Sequence, residues 1–227
     1  MAIKPGDMAK IIDYTNLDPV STVTDIKKLC QEALKYDFAS VCVLPVFVPL
    51  AANILKGSSV KVTTVVGFPL GGNTTETKAF ETRNSIKNGA QEIDMVINLS
   101  AFKSKAYDIV YEDIKAVVDA TKQAGVSSDI IVKVIIECVY LDNDEIVRAC
   151  QLTRDANADF IKSSTGFAAE KVTTEHISLM RKTVGRDIGV KAAGGIKNFE
   201  QALNMLDAGA NRIGASAGVP IVTGTED

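Results

Sequence analysis

The sequence predicts an α/β fold in which parallel strands alternate with helices. Eight short β-branched runs alternate with amphipathic segments along the 227 residues, and this alternation favours a parallel sheet. Eight strands suit a closed barrel, and about 28 residues per unit is near the short end of the range for such barrels. No glycine-rich turn follows the first strand, which disfavours the alternative, an open doubly wound sheet. We therefore predict a single (β/α)8 TIM barrel domain over residues 1–227.

Each predicted strand is a short run rich in Val, Ile, Thr or Ala that ends at turn-forming residues. The predicted strands are Ile11–Thr15, Ala39–Leu44, Val60–Val66, Glu92–Asn98, Ile130–Glu137, Ala158–Lys162, Ile188–Ala193 and Arg212–Gly214. The apolar region from Ala39 to Leu55 is interrupted by prolines and predicts a strand followed by a helix, not a membrane span.

The segments between the strands carry apolar residues at spacings of three and four, with Lys, Glu, Asp and Gln between them. The predicted helices are Thr22–Tyr36, Thr75–Asn88, Ile109–Ala124, Asp144–Ala156, Thr174–Val184 and Asn198–Ala208. Gly or Asn marks several of the predicted helix exits, among them Gly125.

Composition excludes several classes of function. The chain has 25 Lys and Arg against 28 Asp and Glu, a net charge of -3, and no basic run. We therefore expect neither nucleic acid nor a membrane as a partner. The 4 cysteines form no CxxC pair, which predicts reduced, buried thiols. The first ten residues lack the apolar stretch of a signal peptide, and we expect a cytoplasmic protein.

Histidine occurs once, at His176 in a polar helical segment. A zinc site built on several histidines is therefore excluded, and no cysteine cluster replaces it, so we predict no metal. A Ser-His or Cys-His centre would have to use this residue, which we expect to be solvated. Catalysis in this chain would then depend on lysine, a carboxylate or a cofactor.

Strand alternation predicts which side chains face the barrel interior. In Glu92–Asn98, the apolar residues Ile93 and Met95 suit the helix side, so Asp94 and Asn98 point inward. The same argument places six charged side chains inside the barrel: Asp13, Asp94, Lys133, Lys162, Lys191 and Arg212.

Two interpretations of these charges remain open. Buried charges are costly unless paired, and an ion-pair network that fills the core explains Lys133 and Arg212 best. Lys162 and Lys191 instead lie at strand-to-loop transitions, where such barrels place their active sites. Burial and a neighbouring ammonium both favour a neutral amine, which can attack a carbonyl and form a Schiff base. Asp94 could then transfer protons, although alternation alone does not choose between the two lysines.

Glycine pairs predict a phosphate site at the same end of the barrel. Gly194 and Gly195 follow the seventh strand, and the segment Gly214–Gly218 follows the eighth. Barrels often bind phosphate in these two loops, where backbone amides are accessible. Gly166, after the sixth strand, provides a third edge.

These segments resemble the 2-deoxyribose-5-phosphate aldolases, which are class I aldolases. The resemblance runs in order through Ile12–Thr15, Val41–Val43, Thr64–Pro69, Glu92–Asn98, Lys133–Glu137, Asp159–Gly166, Gly189–Gly195 and Arg212–Ser216. It covers nearly the whole chain and is most specific around Lys162 and Lys191. The resemblance implies reversible joining of acetaldehyde to D-glyceraldehyde 3-phosphate, giving 2-deoxy-D-ribose 5-phosphate, without a metal or organic cofactor.

The resemblance also implies roles for individual residues. Lys162 would form the Schiff base, and Lys191 would lower its pKa and help to relay protons. Asp94 would act with Lys191 and a water as general acid and base, and Asp13 would support the lysines. The implied phosphate-binding residues are Gly166, Gly194, Gly195, Ser216 and the backbone of Ala217.

This sequence departs from the family pattern at several positions. Tyr14 stands where many relatives have histidine, and Ala217 stands where a second serine is common. The second change removes a hydroxyl from the implied phosphate site but keeps the backbone N–H. The expected partner is a small phosphosugar, and the habits of such barrels imply a homo-oligomer, either a dimer or a tetramer.

Two other functions fit the same residues. Another lysine-dependent barrel aldolase would act on a different phosphorylated sugar or keto acid, and a substrate panel would separate it. A non-catalytic phosphosugar-binding barrel would bind its ligand without turnover or imine formation.

Overall fold

The eight strands close into a parallel barrel in the computed structural model, which describes residues 4–124 and 130–224. The strands are β1 (Ile12–Asn16), β2 (Ser40–Val43), β3 (Lys61–Val66), β4 (Glu92–Val96), β5 (Ile131–Ile135), β6 (Phe160–Lys162), β7 (Gly189–Ala193) and β8 (Arg212–Ala215). Each strand pairs with the next in the chain, and β8 closes the barrel by pairing with β1. The prediction of a (β/α)8 barrel is confirmed. That residues 1–227 form one domain stays a prediction, since residues 1–3, 125–129 and 225–227 lie outside the described part.

Helices alternate with the strands. They are α1 (Pro5–Ala9), α2 (Val23–Tyr36), α3 (Val48–Ile54), α4 (Thr75–Lys87), α5 (Leu99–Lys103), α6 (Tyr107–Gln123), α7 (Asn143–Asp155), α8 (Thr174–Val184), α9 (Phe199–Asp207) and α10 (Gly218–Thr223). Two short 3₁₀ turns cover Pro45–Phe47 and Cys138–Tyr140. No helix within residues 4–124 or 130–224 has the length and apolarity needed to span a bilayer.

The predicted helix boundaries differ from the observed ones by at most two residues, in part because of capping. Thr22 was predicted to start a helix, but it is the N-cap of α2, and its side chain accepts from the Asp25 N–H. Asn198 has the same role for α9. The predicted helix exit at Gly125 lies outside the described residues.

Two predicted strands end two residues earlier than the sequence indicated. β4 ends at Val96, because the Asn98 side chain accepts a hydrogen bond from the Ala101 N–H at 3.0 Å and caps α5. The prediction that Asn98 points into the barrel from β4 is therefore wrong. β5 ends at Ile135, and Glu137 adopts a left-handed backbone conformation that interrupts the extended run.

The apolar core lies between the barrel and its surrounding helices. Ile93 and Met95 are fully buried on the helix side of β4, as alternation predicts. The interior of the barrel is different, since it contains buried charged side chains, among them Asp13, Asp94 and Lys133. The 4 predicted reduced cysteines are confirmed as free and buried: Cys30, Cys42, Cys138 and Cys150.

Candidate active site

Four strands bring the predicted charged residues together inside the barrel. Asp13 lies on β1, Asp94 on β4, Lys162 on β6 and Lys191 on β7, and all four are buried. Lys162 and Lys191 are register partners across the β6–β7 pair, so their side chains leave the sheet on the same face. Strand alternation and barrel closure thus produce one cluster from residues far apart in the sequence.

Asp94 is the centre of this cluster. Its Oδ2 accepts hydrogen bonds from Lys162 Nζ at 2.8 Å and from Lys191 Nζ at 2.7 Å. Its Oδ1 accepts from Lys133 Nζ at 3.0 Å. Lys191 also forms an ion pair with Asp13. One carboxylate therefore connects both candidate nucleophiles to the deeper charges.

The deeper part of the cluster is a dense ion-pair network. Lys133 pairs with Glu92 and lies 3.6 Å from the Asp13 Oδ2. The Arg212 guanidinium donates to Asp13 Oδ1 at 2.9 Å and to Glu92 Oε1 at 3.1 Å. The structure therefore places Lys133 and Arg212 in the ion-pair network that the sequence had favoured for them.

Glu92 is a member of this network that the sequence analysis did not identify. It lies two residues before Asp94 on β4, so alternation puts both side chains on the interior face. Its carboxylate also accepts a hydrogen bond from the Thr63 hydroxyl at 3.0 Å. The spacing from Asp94 was the signal that could have identified it.

The balance of charge distinguishes Lys162 from the other cations. Among the described residues, four cationic side chains and three carboxylates form this network. Lys133 pairs with three carboxylates and Lys191 with two, whereas Lys162 pairs with Asp94 alone. Three cations already balance three carboxylates. A fourth buried charge would be uncompensated, so the group with the fewest partners is the one best left neutral.

The pKa directions agree with this balance. Burial lowers the pKa of Lys162 below its ordinary 10.5; Asp94 opposes the shift and Lys191 reinforces it. Burial also disfavours the charge of Lys191, but Asp13 and Asp94 outweigh burial and raise the pKa of Lys191. Burial alone would raise the pKa of Asp94, but the three lysines hold it well below 3.8. The cluster thus combines an amine whose pKa is lowered, an ammonium whose pKa is raised and a carboxylate whose pKa is lowered.

A cavity of about 840 Å³ opens at the carboxyl ends of β1, β6, β7 and β8. Lys162 lines this cavity at 2% exposure, whereas Asp13, Asp94 and Lys191 lie behind it. Gly214 on β8 provides the space for Lys191, because a Cβ there would lie 2.9 Å from the Lys191 Cε. Access from solvent therefore distinguishes the two lysines that alternation could not.

The predicted phosphate residues lie mostly on the wall of the same cavity. Gly166, Gly194, Gly195 and Ser216 all line it, from the loops after β6, β7 and β8. Ala217 is buried at the start of α10 and is not among the lining residues. A role for its backbone N–H stays a prediction.

Other parts of the cavity wall were not predicted from the sequence. Lys197, which follows the Gly194–Gly195 pair, lies on the exposed rim and adds a positive charge near the glycine loops. Elsewhere on the cavity wall, the Tyr14 hydroxyl donates a hydrogen bond to Glu32 at 2.7 Å. Phe167 meets Phe68 edge to face, with 5.2 Å between ring centroids.

The fold and cavity define a class of protein: a (β/α)8 barrel with a buried lysine amine facing a cavity whose glycine loops can receive an anion. Comparison with known proteins then identifies the family. The model of the DeoC/LacD family of aldolases matches residues 2–223, and the chain belongs to this family.

Individual relatives agree with this assignment. The chain is 55% identical over 216 residues to a deoxyribose-phosphate aldolase of Thermoanaerobacter sp. (strain X514), covering 95% of this chain and 96% of the relative. It is 55% identical over 217 residues to a deoxyribose-phosphate aldolase of Streptococcus suis (strain 98HAH33), covering 96% of both chains. The tetrameric deoxyribose phosphate aldolase structure from Aeropyrum pernix superposes with a TM-score of 0.88 at 31% identity, covering 96% of this chain and 91% of that one.

Among the described residues, no group of three or more His, Cys, Asp and Glu side chains is arranged to hold a metal ion.

Proposed function

We propose that this chain is a class I aldolase that reversibly cleaves 2-deoxy-D-ribose 5-phosphate to D-glyceraldehyde 3-phosphate and acetaldehyde. The observation that carries the proposal is the position of Lys162, which lines the cavity and pairs with one carboxylate inside a network that three other cations already balance. The curated names of the relatives in Thermoanaerobacter and Streptococcus suis support the choice of substrate.

The first step is attack of the neutral Lys162 Nζ on C1 of the open-chain sugar. The C–N bond forms, and one proton passes from the nitrogen to the carbonyl oxygen to give a carbinolamine. A second proton, from a water in the cavity, lets that hydroxyl leave as water and leaves a protonated imine. The lowered pKa of Lys162 favours the neutral amine, whose lone pair makes this attack. Asp94, whose Oδ2 lies 2.8 Å from the Lys162 Nζ, stabilises the positive charge that appears on this nitrogen.

The second step breaks the C2–C3 bond. Removal of the C3 hydroxyl proton makes C3 an aldehyde carbon, and the bonding electrons move to C2 to give an enamine on Lys162. The released product is D-glyceraldehyde 3-phosphate. Protonation at C2 and addition of water to the resulting imine release acetaldehyde and restore the lysine.

Lys191 and Asp94 are the candidate groups for proton transfer. When the imine on Lys162 is protonated, it adds a fourth cation to a network with three carboxylates. This excess of positive charge makes the Lys191 ammonium a better acid. Its Nζ is 2.7 Å from the Asp94 Oδ2, so the carboxylate, with a water from the cavity, connects it to the reacting centre. Asp13 holds Lys191 in place through their ion pair.

The glycine loops provide a place for the phosphate. Gly166, Gly194, Gly195 and Ser216 lie on the same cavity wall, and backbone amides without a side chain over them can approach an anion closely. Lys197 at the rim adds a positive charge. A phosphorylated sugar would thus be held at one end while its carbonyl reaches Lys162.

We further infer a cytoplasmic homo-oligomer, either a dimer or a tetramer. Four buried free cysteines are typical of a reducing compartment. The relative from Aeropyrum pernix is described as tetrameric. Sedimentation equilibrium measures the mass directly, and a monomer at every concentration would contradict the oligomer.

The proposed function is tested by trapping the imine. The protein is incubated with 2-deoxyribose 5-phosphate and sodium borohydride, and the reduced adduct is mapped by peptide mass spectrometry. We expect the adduct on Lys162, and none in Lys162→Met. Lys103→Met, which alters a half-exposed lysine of α5, is the matched control and should be labelled as the wild type is.

Other outcomes would change the assignment. An adduct on Lys191 would keep the aldolase class and reverse the roles of the two lysines. Turnover without any adduct would exclude Schiff-base chemistry. A trapped imine only with other phosphorylated sugars or keto acids would replace the proposed substrate, and phosphosugar binding without turnover or adduct would indicate a binding barrel.

A further inference from the structure

The loop after β6 carries Gly166, and a buried carboxylate from the neighbouring strand holds this loop. Glu137, just after β5, is 2% exposed and points into the turn Ser163–Phe167. The Thr165 N–H lies 3.2 Å from each Glu137 carboxylate oxygen, and the Thr165 hydroxyl donates to the same group. The network around Asp94 does not include this carboxylate.

The contacts continue from Thr165 into the next residues. The Phe167 N–H donates to the Thr165 hydroxyl oxygen at 3.1 Å, so one carboxylate fixes two backbone amides, directly or through a single hydroxyl. The amide between them, that of Gly166, has no hydrogen-bond partner within residues 4–124 and 130–224. Since Gly166 lines the cavity, this is the amide of the three that is left for a ligand.

The backbone of Glu137 is adapted to this contact. Its φ of 48° and ψ of 60° lie in the left-handed region, which non-glycine residues rarely adopt. Such conformations persist where surrounding contacts impose them, and they cluster at functional sites. Here the next residue, Cys138, donates its N–H to the Ser163 carbonyl at 2.8 Å and joins the end of β5 to the start of the loop.

A second anchor holds the other side of the loop. The Ser163 hydroxyl donates to the Ala193 carbonyl at 2.9 Å and accepts from the Ala193 N–H at 3.0 Å. The loop is therefore fixed between β5 and β7, the strand that precedes Gly194 and Gly195. Both anchors determine where Gly166 lies relative to those glycines.

We propose that Glu137 is a positioning residue for phosphate recognition. By hydrogen bonding to Thr165 it occupies the amides of Thr165 and Phe167, directly or through the Thr165 hydroxyl. The Gly166 N–H between them is then presented to the phosphate of the substrate. This inference deepens the proposed function and depends on it for the identity of the substrate. It assigns Glu137 no part in imine formation, because its contacts are with the loop and not with Lys162.

The first test is a direct measurement of anion binding. Titration calorimetry with inorganic phosphate compares the wild type with Glu137→Gln, which keeps the size of the side chain but replaces one acceptor oxygen by a donor group. Loss of the hydrogen bonds that fix the loop should weaken phosphate binding by about tenfold or more. An unchanged affinity in this variant, or no phosphate binding by the wild type, would overturn the proposal.

The second test separates positioning from general damage. For Glu137→Gln we expect KM for 2-deoxyribose 5-phosphate to rise by about tenfold, with kcat changed less. The value of kcat/KM for unphosphorylated 2-deoxyribose should stay within about twofold, because this substrate does not use the phosphate site. If the role of Glu137 were purely structural, kcat/KM would fall equally for both substrates, and that result would overturn the proposal.

A second pair of variants keeps the test independent of the folding of Glu137→Gln. Thr165→Val removes the hydroxyl that accepts a hydrogen bond from the Phe167 N–H, and Thr165→Ser retains this hydroxyl. We expect weaker phosphate binding in the first and near-wild-type binding in the second. Equal binding by both would contradict the proposal. Borohydride trapping on the wild type tests the proposed function separately, so a barrel that binds phosphate through this loop but forms no imine would refute the aldolase and not the role of Glu137.

Discussion

Lys133 and Lys162 occupy neighbouring strands of the same barrel, yet their surroundings differ in two ways. Lys133 pairs with Asp13, Glu92 and Asp94 and has no exposed side-chain surface. Lys162 pairs with Asp94 alone and reaches the cavity. Burial disfavours both charges, but three carboxylates outweigh it at Lys133 and raise its pKa, whereas one does not at Lys162.

The difference shows how one network can serve stability at one end and chemistry at the other. A lysine surrounded by carboxylates holds its charge and joins strands together. A lysine with too few carboxylates loses its charge and becomes a nucleophile. Under the proposed function, the distribution of carboxylates on β1 and β4 therefore determines which lysine can react.

The largest expected effect is on catalysis in Lys162→Met. Removal of the nucleophile should reduce kcat/KM for 2-deoxyribose 5-phosphate by roughly 10⁴-fold or more. Because the pKa of Lys162 is lowered in the folded protein, its charge opposes folding at neutral pH, so the free energy of unfolding in urea should not fall in this variant. A marked loss of stability would mean that Lys162 carries a charge that the network needs.

Lys133→Met should mainly reduce stability, whereas Lys162→Met should mainly reduce catalysis. It leaves Asp13, Glu92 and Asp94 with too few cations in a buried site, and removal of one partner from such a network costs about 3–5 kcal/mol. Urea unfolding followed by circular dichroism measures this loss. If Lys133→Met were as stable as the wild type, the ion pairs of Lys133 would not stabilise the barrel.

Lys191→Met tests the electrostatic link between the two ends. Imine formation needs a neutral amine, so kcat/KM rises as pH passes the pKa of Lys162. The Lys191 ammonium lowers that pKa, and its removal should move the rising limb to higher pH. A rising limb that stays in place or moves to lower pH would contradict the link.

The smallest expected effect is in Lys103→Met. Its ion pair with Glu145 at 2.6 Å lies between partly exposed side chains, where solvent screens the interaction. We expect activity and urea unfolding to match those of the wild type. A loss comparable to that of Lys133→Met would show that burial does not separate the two classes of ion pair.

Strand alternation made the interior charges predictable. A period of two puts Asp94 and Lys191 inside whatever the details of the loops, and eight such strands predict the barrel. Capping residues such as Thr22 accounted for some of the small errors in helix boundaries. Helix α5, with 5 residues, is shorter than two turns and carries no periodic signal.

The choice between the lysines could not be made from the sequence. It depends on which side chain reaches the cavity and how many carboxylates surround it, and both follow from register between strands distant in sequence. The contact of Glu137 with Thr165 is of the same kind, since it joins residues from two strands. Its left-handed backbone carries no signature in the sequence, because Glu has no preference for that conformation.

The central claim, that Lys162 holds a neutral amine, is tested most directly by the reactivity of each lysine as a function of pH. The protein is exposed briefly to an amine-acylating reagent at a series of pH values, and the extent of modification at each lysine is measured by peptide mass spectrometry. We predict that Lys162 titrates below the ordinary 10.5 and reacts at neutral pH, whereas Lys133 and Lys191 stay unmodified. Titration of Lys162 at or above 10.5, or modification of Lys191 at a lower pH than Lys162, would contradict this claim.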